Sequence, residues 1–200
     1  MFLQTIPVGK LLTNCYLLAD DNGDGVFIDP GDHADRLLTI AQEHHVRITA
    51  IWLTHGHFDH MLAVQDIQRA THADLYAPAG DEAALTDPRS NLLAYVSSNL
   101  PYELQATRLL REGDTVSAGE LAFTVWETPG HTPGSICFVS EEQMILFSGD
   151  TLFSDGYGRT DLPGGDEAVM RQSLARLDKI KTPYHVYPGH GEDFILGETL

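Results

Sequence analysis

The sequence predicts a four-layer αβ/βα sandwich, in which two β-sheets pack face to face and helices cover their outer surfaces. Two observations support this prediction. Apolar runs that end at glycine-containing turns recur along the chain, and strands followed by strand–helix units occur in both halves. Such a pattern is typical of layered α/β proteins. The length of 200 residues corresponds to about one domain, so we expect a single domain over residues 1–200.

The first half of the chain begins with strands and continues with strand–helix units. Apolar runs predict strands at 2–8, 14–19, 26–28, 48–53 and 75–77. The Asp- and Gly-rich residues 20–25 predict a hairpin turn between the second and third strands. Apolar residues at helical spacing predict helices at 34–44 and 61–70, the first of them with Asp32 as its N-cap.

The second half opens with a less regular segment, 86–104, whose prolines and polar residues indicate a loop or a flap. Beyond it, apolar runs predict strands at 121–126, 136–139, 144–147 and 184–187. The second and third of these are expected to form a hairpin. A helix is predicted at 166–177, between the last two strands.

Composition and charge exclude several classes of function. The 29 acidic and 12 basic residues give a formal charge of −17, which would repel a nucleic-acid backbone. No apolar run is long enough to span a bilayer, and the N-terminus lacks the basic region and cleavage site of a secretory signal. Cys15 and Cys137 are expected to be reduced, buried thiols. We therefore expect a cytoplasmic protein that binds neither nucleic acid nor membrane, and the sequence leaves its oligomeric state open.

Seven side chains of the kind that bind metals stand in turns after apolar strands. They are His55, His57, Asp59, His60, His131, Asp150 and His190. Imidazole and carboxylate groups are usual ligands of zinc, manganese and iron, and loops at strand ends can bring distant residues together. Seven ligands exceed the four that one zinc ion usually takes. They fit two metal ions that share a bridging carboxylate.

The order of four motifs resembles that of the metallo-β-lactamase superfamily. The motifs are Thr-His-Gly-His-Phe-Asp-His at 54–60, Thr-Pro-Gly-His-Thr-Pro-Gly at 128–134, Ser-Gly-Asp-Thr at 148–151 and Pro-Gly-His-Gly at 188–191. Within the superfamily, the chain resembles the glyoxalase II group of hydroxyacylglutathione hydrolases, in particular the short single-domain type II glyoxalases. The resemblance extends from the strand at 14–16 to the region 197–199.

The resemblance implies a ligand set for two metal ions. The first ion would be held by His55, His57 and His131, the second by Asp59, His60 and His190, and Asp150 would bridge them. Asp29 resembles the superfamily aspartate that supports the histidine loop without binding metal. Zinc is the first expectation for both ions, and iron and manganese are alternatives because all three accept these ligands.

The resemblance also implies hydrolysis of a small thioester, such as the glutathione thioester S-lactoylglutathione. Two cations lower the pKa of a bridging water to about 7, and the resulting hydroxide attacks the polarised carbonyl. A thiolate leaving group needs little protonation, so no dedicated general acid is required. Asp59 is the nearby carboxylate that would transfer a proton.

Substrate-binding residues are expected in the loop after Asp150. In the two-domain glyoxalase II enzymes, a lysine and then a tyrosine of this loop bind glutathione. Arg159 stands at the position of the lysine, and Asp161 stands near that of the tyrosine, with Tyr157 as a neighbouring candidate. Arg159 could bind a substrate carboxylate or pair with Asp155 or Asp161 instead. The C-terminal helical domain of those enzymes is not expected here, so a substrate would have fewer contacts.

Three alternatives remain open at this point. Iron-dependent persulfide dioxygenases share the scaffold, resemble the chain at 158–161, and use one iron held by equivalents of His55, His131 and Asp150. Their last histidine usually follows Pro-Ala, whereas His190 here follows Pro-Gly. A lactonase or another ester hydrolase is the second alternative. A non-catalytic metal scaffold is the third, although a structural zinc site normally has only about four ligands.

Overall fold

Two six-stranded β-sheets face each other in the computed structural model, which describes residues 1–96, 102–180 and 183–197. Helices pack on the outer face of each sheet. The expected αβ/βα sandwich is therefore confirmed. In the described ranges, no helix has the length and apolar character needed to cross a bilayer.

The first sheet contains its strands in chain order. They are β1 (Phe2–Val8), β2 (Thr13–Ala19), β3 (Asp24–Ile28), β4 (Arg47–Trp52), β5 (Asp74–Pro78) and β6 (Arg108–Leu110). The first three strands pair antiparallel, as the predicted hairpin turn requires. From β3 to β6 the pairing is parallel, and helices connect β3 to β4 and β4 to β5.

The second sheet is built from the other half of the chain. Its strands are β7 (Thr115–Ala118), β8 (Leu121–Glu127), β9 (Ile136–Ser140), β10 (Ile145–Gly149), β11 (Tyr184–Pro188) and β12 (Phe194–Leu196). Their spatial order is β12-β11-β10-β9-β8-β7, and β10 and β11 form the one parallel pair of this sheet. The predicted hairpin of 136–139 and 144–147 is confirmed as β9 and β10.

Three apolar clusters separate the four layers. Side chains such as Trp52 and Phe138 fill the space between the sheets, with their rings 5.1 Å apart. Leu37 and other helical residues cover the outer face of the first sheet, and Leu177 belongs to the cluster on the outer face of the second. The central strands are buried on both faces because each sheet lies between two layers. Cys15 and Cys137 are buried free thiols, as expected.

Four α-helices are present in the described residues. They are α1 (Ala34–Glu43), α2 (Val64–Thr71), α3 (Leu93–Val96) and α4 (Glu167–Leu177). Asp166 caps α4, because its carboxylate accepts hydrogen bonds from the backbone N–H groups of Ala168 (2.8 Å) and Val169 (3.1 Å).

The predicted helix beginning at residue 34 is confirmed as α1, but its predicted N-cap was wrong. His33, not Asp32, occupies the N-cap position, and it does so in a left-handed conformation with φ of 57°. The Asp32 carboxylate instead accepts a hydrogen bond from the N–H of His33 itself, at 2.6 Å. The left-handed residue changes the direction of the chain between Asp32 and the first helical turn, so the carboxylate does not bond the orphan N–H groups of that turn.

The predicted start of α2 was also wrong, because a short 3-10 turn, Phe58–His60, and a further turn precede the helix at Val64. The segment 86–104 contains α3, and its residues 97–101 lie outside the described ranges. Strands β6, β7 and β12 were not predicted. The region 197–199 of the resemblance is described only at Gly197.

The functional residues gather at one edge of the sandwich. The parallel pairs β3–β4 and β10–β11 both point their carboxyl ends toward this edge, where loops from both sheets meet. Asn14 at the start of β2 connects the two sheets there. Its backbone N–H donates to the carbonyl of Gly189, and its side chain donates to that of Pro188.

Replacing Asp166 by alanine should lower the free energy of unfolding by about 1 kcal/mol, because two N–H groups of α4 lose their acceptor. Urea unfolding followed by circular dichroism would measure the change. Glu142→Ala, at an exposed turn, is the matched control and should change stability by less than about 0.5 kcal/mol. Equal effects of the two substitutions would contradict the capping role.

Candidate metal centre

The histidine loop leaves the end of β4 and returns into the site through the 3-10 turn. His55 and His60 are fully buried, and His57 is 3% exposed. Gly56 separates the first two histidines. A side chain there would meet the Cβ of Ala84 at 2.5 Å, so only glycine lets the loop pack this closely.

Three imidazoles form a first cluster of potential ligand atoms. The Nε2 atom of His55 lies 3.1 Å from Nδ1 of His57. The Nε2 atom of His131, which follows β8, lies 2.9 Å from the same Nδ1 atom. All three nitrogen atoms lie within 4.8 Å of one another, which is close enough to share one metal ion.

A second cluster contains one carboxylate and two imidazoles. The Oδ2 atom of Asp59 lies 3.6 Å from Nε2 of His60 and 3.4 Å from Nε2 of His190. His190 arrives from the end of β11, in the opposite sheet. This cluster also meets the 4.8 Å limit for a shared ion.

Asp150 lies between the two clusters. Its Oδ2 atom is 3.4 Å from Nε2 of His131 and 3.6 Å from Nε2 of His190, and its Oδ1 atom is 3.5 Å from Nε2 of His60. One carboxylate therefore faces ligand atoms of both clusters, as a bridging ligand would. Gly189 permits this approach, because a Cβ atom there would lie 2.1 Å from Oδ1 of Asp150.

Backbone carbonyls set the tautomers of two histidines. The Nδ1 atom of His131 lies 2.7 Å from the carbonyl oxygen of Arg159, and Nδ1 of His190 lies 3.2 Å from that of Leu11. A carbonyl oxygen can only accept, so each Nδ1 must carry the proton. The lone pair of each neutral ring is then on Nε2, which faces the centre of the site.

Asp29 sets the tautomers of His55 and His60, which also present Nε2 to the site. Its Oδ2 atom accepts hydrogen bonds from Nδ1 of His60 at 3.0 Å and from the Thr54 hydroxyl at 2.6 Å. The Thr54 oxygen is then free to accept from Nδ1 of His55, at 3.1 Å. Asp29 also accepts the Thr54 backbone N–H at 2.8 Å, so both its oxygens are engaged, which favours a supporting role over metal binding.

Some buried polar atoms of the clusters have no partner in the protein. Among the described side chains, four buried polar atoms lack a hydrogen-bond partner, and two of these, Nε2 of His60 and Oδ1 of Asp150, are potential ligand atoms. Nε2 of His60 and Oδ1 of Asp150 face each other without a shared proton donor. Native proteins rarely leave such atoms unpaired, and a divalent cation between them would satisfy both.

The pKa values of His55 and His57, two members of the first cluster, favour neutral imidazoles. Burial, and then the neighbouring His60, lowers the pKa of His55 well below its ordinary value. Burial, and then His131, lowers the pKa of His57 to about 3. Neutral imidazoles with available lone pairs are the form that binds metal.

The second cluster lies in a strongly negative environment. Burial alone would lower the pKa of His60, but the carboxylates of Asp59, Asp150 and Asp29 outweigh it and raise the pKa to about 10. Burial opposes ionisation of Asp59, but His60 and His190 hold its pKa below the usual range. The carboxylates thus favour positive charge at this point, and a metal cation would take the place of the proton.

Asp81 is a site residue that the sequence did not reveal. Its buried carboxylate accepts hydrogen bonds from the N–H of Gly56 at 2.8 Å, the hydroxyl of Thr132 at 2.7 Å and the N–H of Gly134 at 2.7 Å. These donors flank the ligands of the first cluster on two separate loops. No motif marks Asp81, and only its place after the strand β5 could have suggested a role.

A cleft of about 710 Å³ opens onto the ligand residues. Arg159 lines it, but its guanidinium binds both oxygens of Asp161, at 2.7 and 2.8 Å. Of the two alternatives for Arg159, the intraloop ion pair is the one observed. Tyr157 does not line the cleft, and its hydroxyl donates to Glu167 at 3.0 Å.

The αβ/βα sandwich and the two clusters of potential metal ligands at its edge are those of a metal-binding enzyme. The chain matches the Metallo-beta-lactamase superfamily over residues 8–190 and belongs to this superfamily. The superfamily expected from the four motifs is thereby confirmed, and the fit of the site to divalent metal ions agrees with it.

Relatives and solved structures resemble the chain over nearly its full length. The hydroxyacylglutathione hydrolase GloC of Haemophilus influenzae is 30% identical over 200 residues, with 99% of this chain and 94% of that protein covered. The BLEG-1 B3 metallo-beta-lactamase structure has a TM-score of 0.90, 34% identity and coverage of 98% and 95%. The di-iron-bound structure of TTHA1623 has a TM-score of 0.86, 36% identity and coverage of 97% and 95%.

Replacing Asp81 by asparagine should weaken zinc binding by about 10–100-fold, because the amide has one acceptor oxygen and its NH2 group cannot accept from the N–H of the other loop. Competition with a chromophoric chelator would measure the affinity. Asp87→Asn is the matched control, since Asp87 accepts comparable bonds from Arg89 and Ser90 away from the ligands. Wild-type affinity in Asp81→Asn would contradict the role of Asp81.

Removal of metal should destabilise the fold, because ligands that bind only the native state stabilise it. At free zinc a hundredfold above Kd, the expected stabilisation is about 2.7 kcal/mol, which corresponds to a Tm difference of about 5–10 °C. Calorimetry with added zinc and with chelator would measure it. An identical Tm under both conditions would show that the clusters do not bind the ion.

Proposed function

We propose that this protein is a two-metal hydrolase that cleaves small thioesters. The position of Asp150 between two complete clusters carries the proposal, because two ions with a shared carboxylate are an arrangement suited to hydrolysis. The name of the Haemophilus influenzae relative supports a glutathione thioester, and S-lactoylglutathione is the reference substrate.

Each cluster would hold one divalent ion, and we propose zinc for both. His55, His57 and His131 would bind the first ion, Asp59, His60 and His190 the second, and Asp150 both. Bound ions supply a hydroxide nucleophile at neutral pH and stabilise the negative charge that develops on the carbonyl oxygen.

Asp59 would accept and transfer the proton during the reaction. It lies at the cleft with its side chain 15% exposed, and the Thr13 hydroxyl donates to its Oδ2 atom at 2.8 Å. Burial opposes ionisation, but His60, His190 and then this hydrogen bond lower the pKa of Asp59 and hold it in the anionic form, which a proton acceptor requires. A thiolate leaves without needing a strong acid. Among the described residues that line the cleft, Asp59 and Asp150 are the only carboxylates, which suits a thioester.

A persulfide dioxygenase is the competing proposal, supported by the resemblance at 158–161. In that case a single iron would be held by His55, His131 and Asp150, and the second cluster would have no function. The completeness of that cluster, with Asp59 and His190 each 3.6 Å or less from a neighbouring ligand atom, favours the hydrolase.

One experiment separates these two functions. Protein of measured metal content is assayed with S-lactoylglutathione and with related thioesters, and separately with glutathione persulfide while oxygen is recorded. Thioester cleavage without oxygen uptake is the expected result. Oxygen uptake without cleavage of any thioester would overturn the hydrolase.

Replacing His190 by alanine should remove the second ion and lower kcat/KM for thioester hydrolysis by about 100-fold or more, because a ligand and half of the charge stabilisation are lost. The metal content measured per protein molecule should fall from two ions to one. His185→Ala, on the same strand segment but bonded to Asp193 outside the clusters, is the matched control and should keep both ions. Full activity with one ion would show that a mononuclear centre suffices.

A further inference from the structure

The cleft has an unusually apolar rim for a chain of charge −17. Of the large apolar side chains that are exposed, Leu11, Tyr95 and Val96 all line this cleft, with exposures of 57%, 67% and 60%. Phe58 and Phe153 continue the same surface down to the ligands. Clustered exposed apolar groups on a soluble protein mark binding sites.

Contacts place this rim beside the second cluster. The carbonyl oxygen of Leu11 accepts from Nδ1 of His190, and the ring of Phe153 meets the His190 ring edge-on at 6.3 Å. On the opposite loop, the N–H of Phe58 donates to the carbonyl of Asn91 at 2.9 Å, next to Leu92. An extended group bound to the rim would therefore reach the reacting carbonyl.

Strained backbone supports a binding role for the rim. Leu12 and Leu92, one on each rim loop, adopt left-handed conformations with φ of 55° and 68°. Such conformations are costly for bulky side chains and cluster at ligand-binding sites. Leu12 is itself 64% exposed, so burial does not explain its conformation.

The cleft offers little to an anionic substrate group. Among the described residues that line it, Arg159 is the sole lysine or arginine, and Asp161 already occupies its guanidinium. The two carboxylates of a glutathione group would therefore find no uncommitted cationic partner on these walls.

We propose that the preferred substrates are thioesters that carry an extended, uncharged apolar group, and that this group binds the rim formed by Leu11, Leu92, Tyr95 and Val96. The inference rests on the proposed thioester hydrolysis and names its substrate class. The apolar group can be the acyl chain or the thiol, and the two sources are separated by experiment.

Metal-loaded protein is assayed with matched thioesters. Octanoyl-N-acetylcysteamine should exceed acetyl-N-acetylcysteamine in kcat/KM by about tenfold or more if the rim binds the acyl chain. S-acetylhexanethiol should exceed acetyl-N-acetylcysteamine by a similar factor if it binds the thiol. Lactoyl-N-acetylcysteamine should exceed S-lactoylglutathione in kcat/KM.

A higher kcat/KM for the octanoyl or the hexanethiol thioester than for acetyl-N-acetylcysteamine supports the proposal. A higher kcat/KM for S-lactoylglutathione than for every uncharged thioester overturns it. No cleavage of any thioester would overturn the proposed function itself.

The variant Leu11→Ser/Tyr95→Ser should lower the octanoyl-to-acetyl ratio of kcat/KM by about tenfold, since both side chains are exposed rim residues. Ile195→Ser, an exposed apolar residue of β12 outside the cleft, is the matched control and should leave the ratio unchanged. Calorimetric titration of metal-free protein gives a second readout. Octanamide should bind more tightly than acetamide, with a negative heat-capacity change, and equal affinities of the two amides would contradict apolar binding by the rim.

Discussion

The hydrogen bonds of Asp29 are the constraint on which the rest of the site depends. This buried carboxylate ends β3 in a left-handed conformation, with φ of 50°, and reaches across to the histidine loop of β4. It bonds His60 directly and His55 through Thr54, so one side chain orients a ligand of each cluster. The left-handed conformation of Asp29 persists because the parallel pairing of β3 and β4 fixes Asp29 beside the histidine loop that it contacts.

The second constraint is the charge balance that this orientation creates. Every Nδ1 atom of His55, His60, His131 and His190 has an acceptor, so each Nε2 lone pair points into the site. Those of His60, His131 and His190 face the carboxylates of Asp59 and Asp150. An imidazole lone pair and a carboxylate oxygen are both acceptors, so they cannot form a hydrogen bond with each other. Each added acceptor makes this region more favourable for positive charge. The hydrogen bonds that orient the imidazoles therefore also make the site favourable for cations.

Local signals explain how much the sequence could predict. The apolar runs located nine of the strands and the two-sheet arrangement, because strands buried on both faces are continuously apolar. The ligand motifs predicted all seven clustered side chains, since each stands at a strand end. Asp81 could not be assigned, because its partners stand on loops distant in sequence. The pair Arg159–Asp161 was one of the alternatives that the sequence left open, and the conformation of the loop itself decides between them. The short edge strands β6, β7 and β12 carry too few residues for a periodic signal.

Chemistry and recognition lie on different parts of this molecule. The ligands stand at strand ends, where buried hydrogen bonds from Asp29 and Asp81 hold the loops in place. The rim stands on the loop of Leu11 and on the short helix α3, where Leu11 and Tyr95 contribute exposed surface. Rim side chains can differ without disturbing the ligand network, so one metal centre can serve different substrates. This separation is the physical reason that the ligand motifs predict the superfamily, while the substrate class must be inferred from the walls of the cleft.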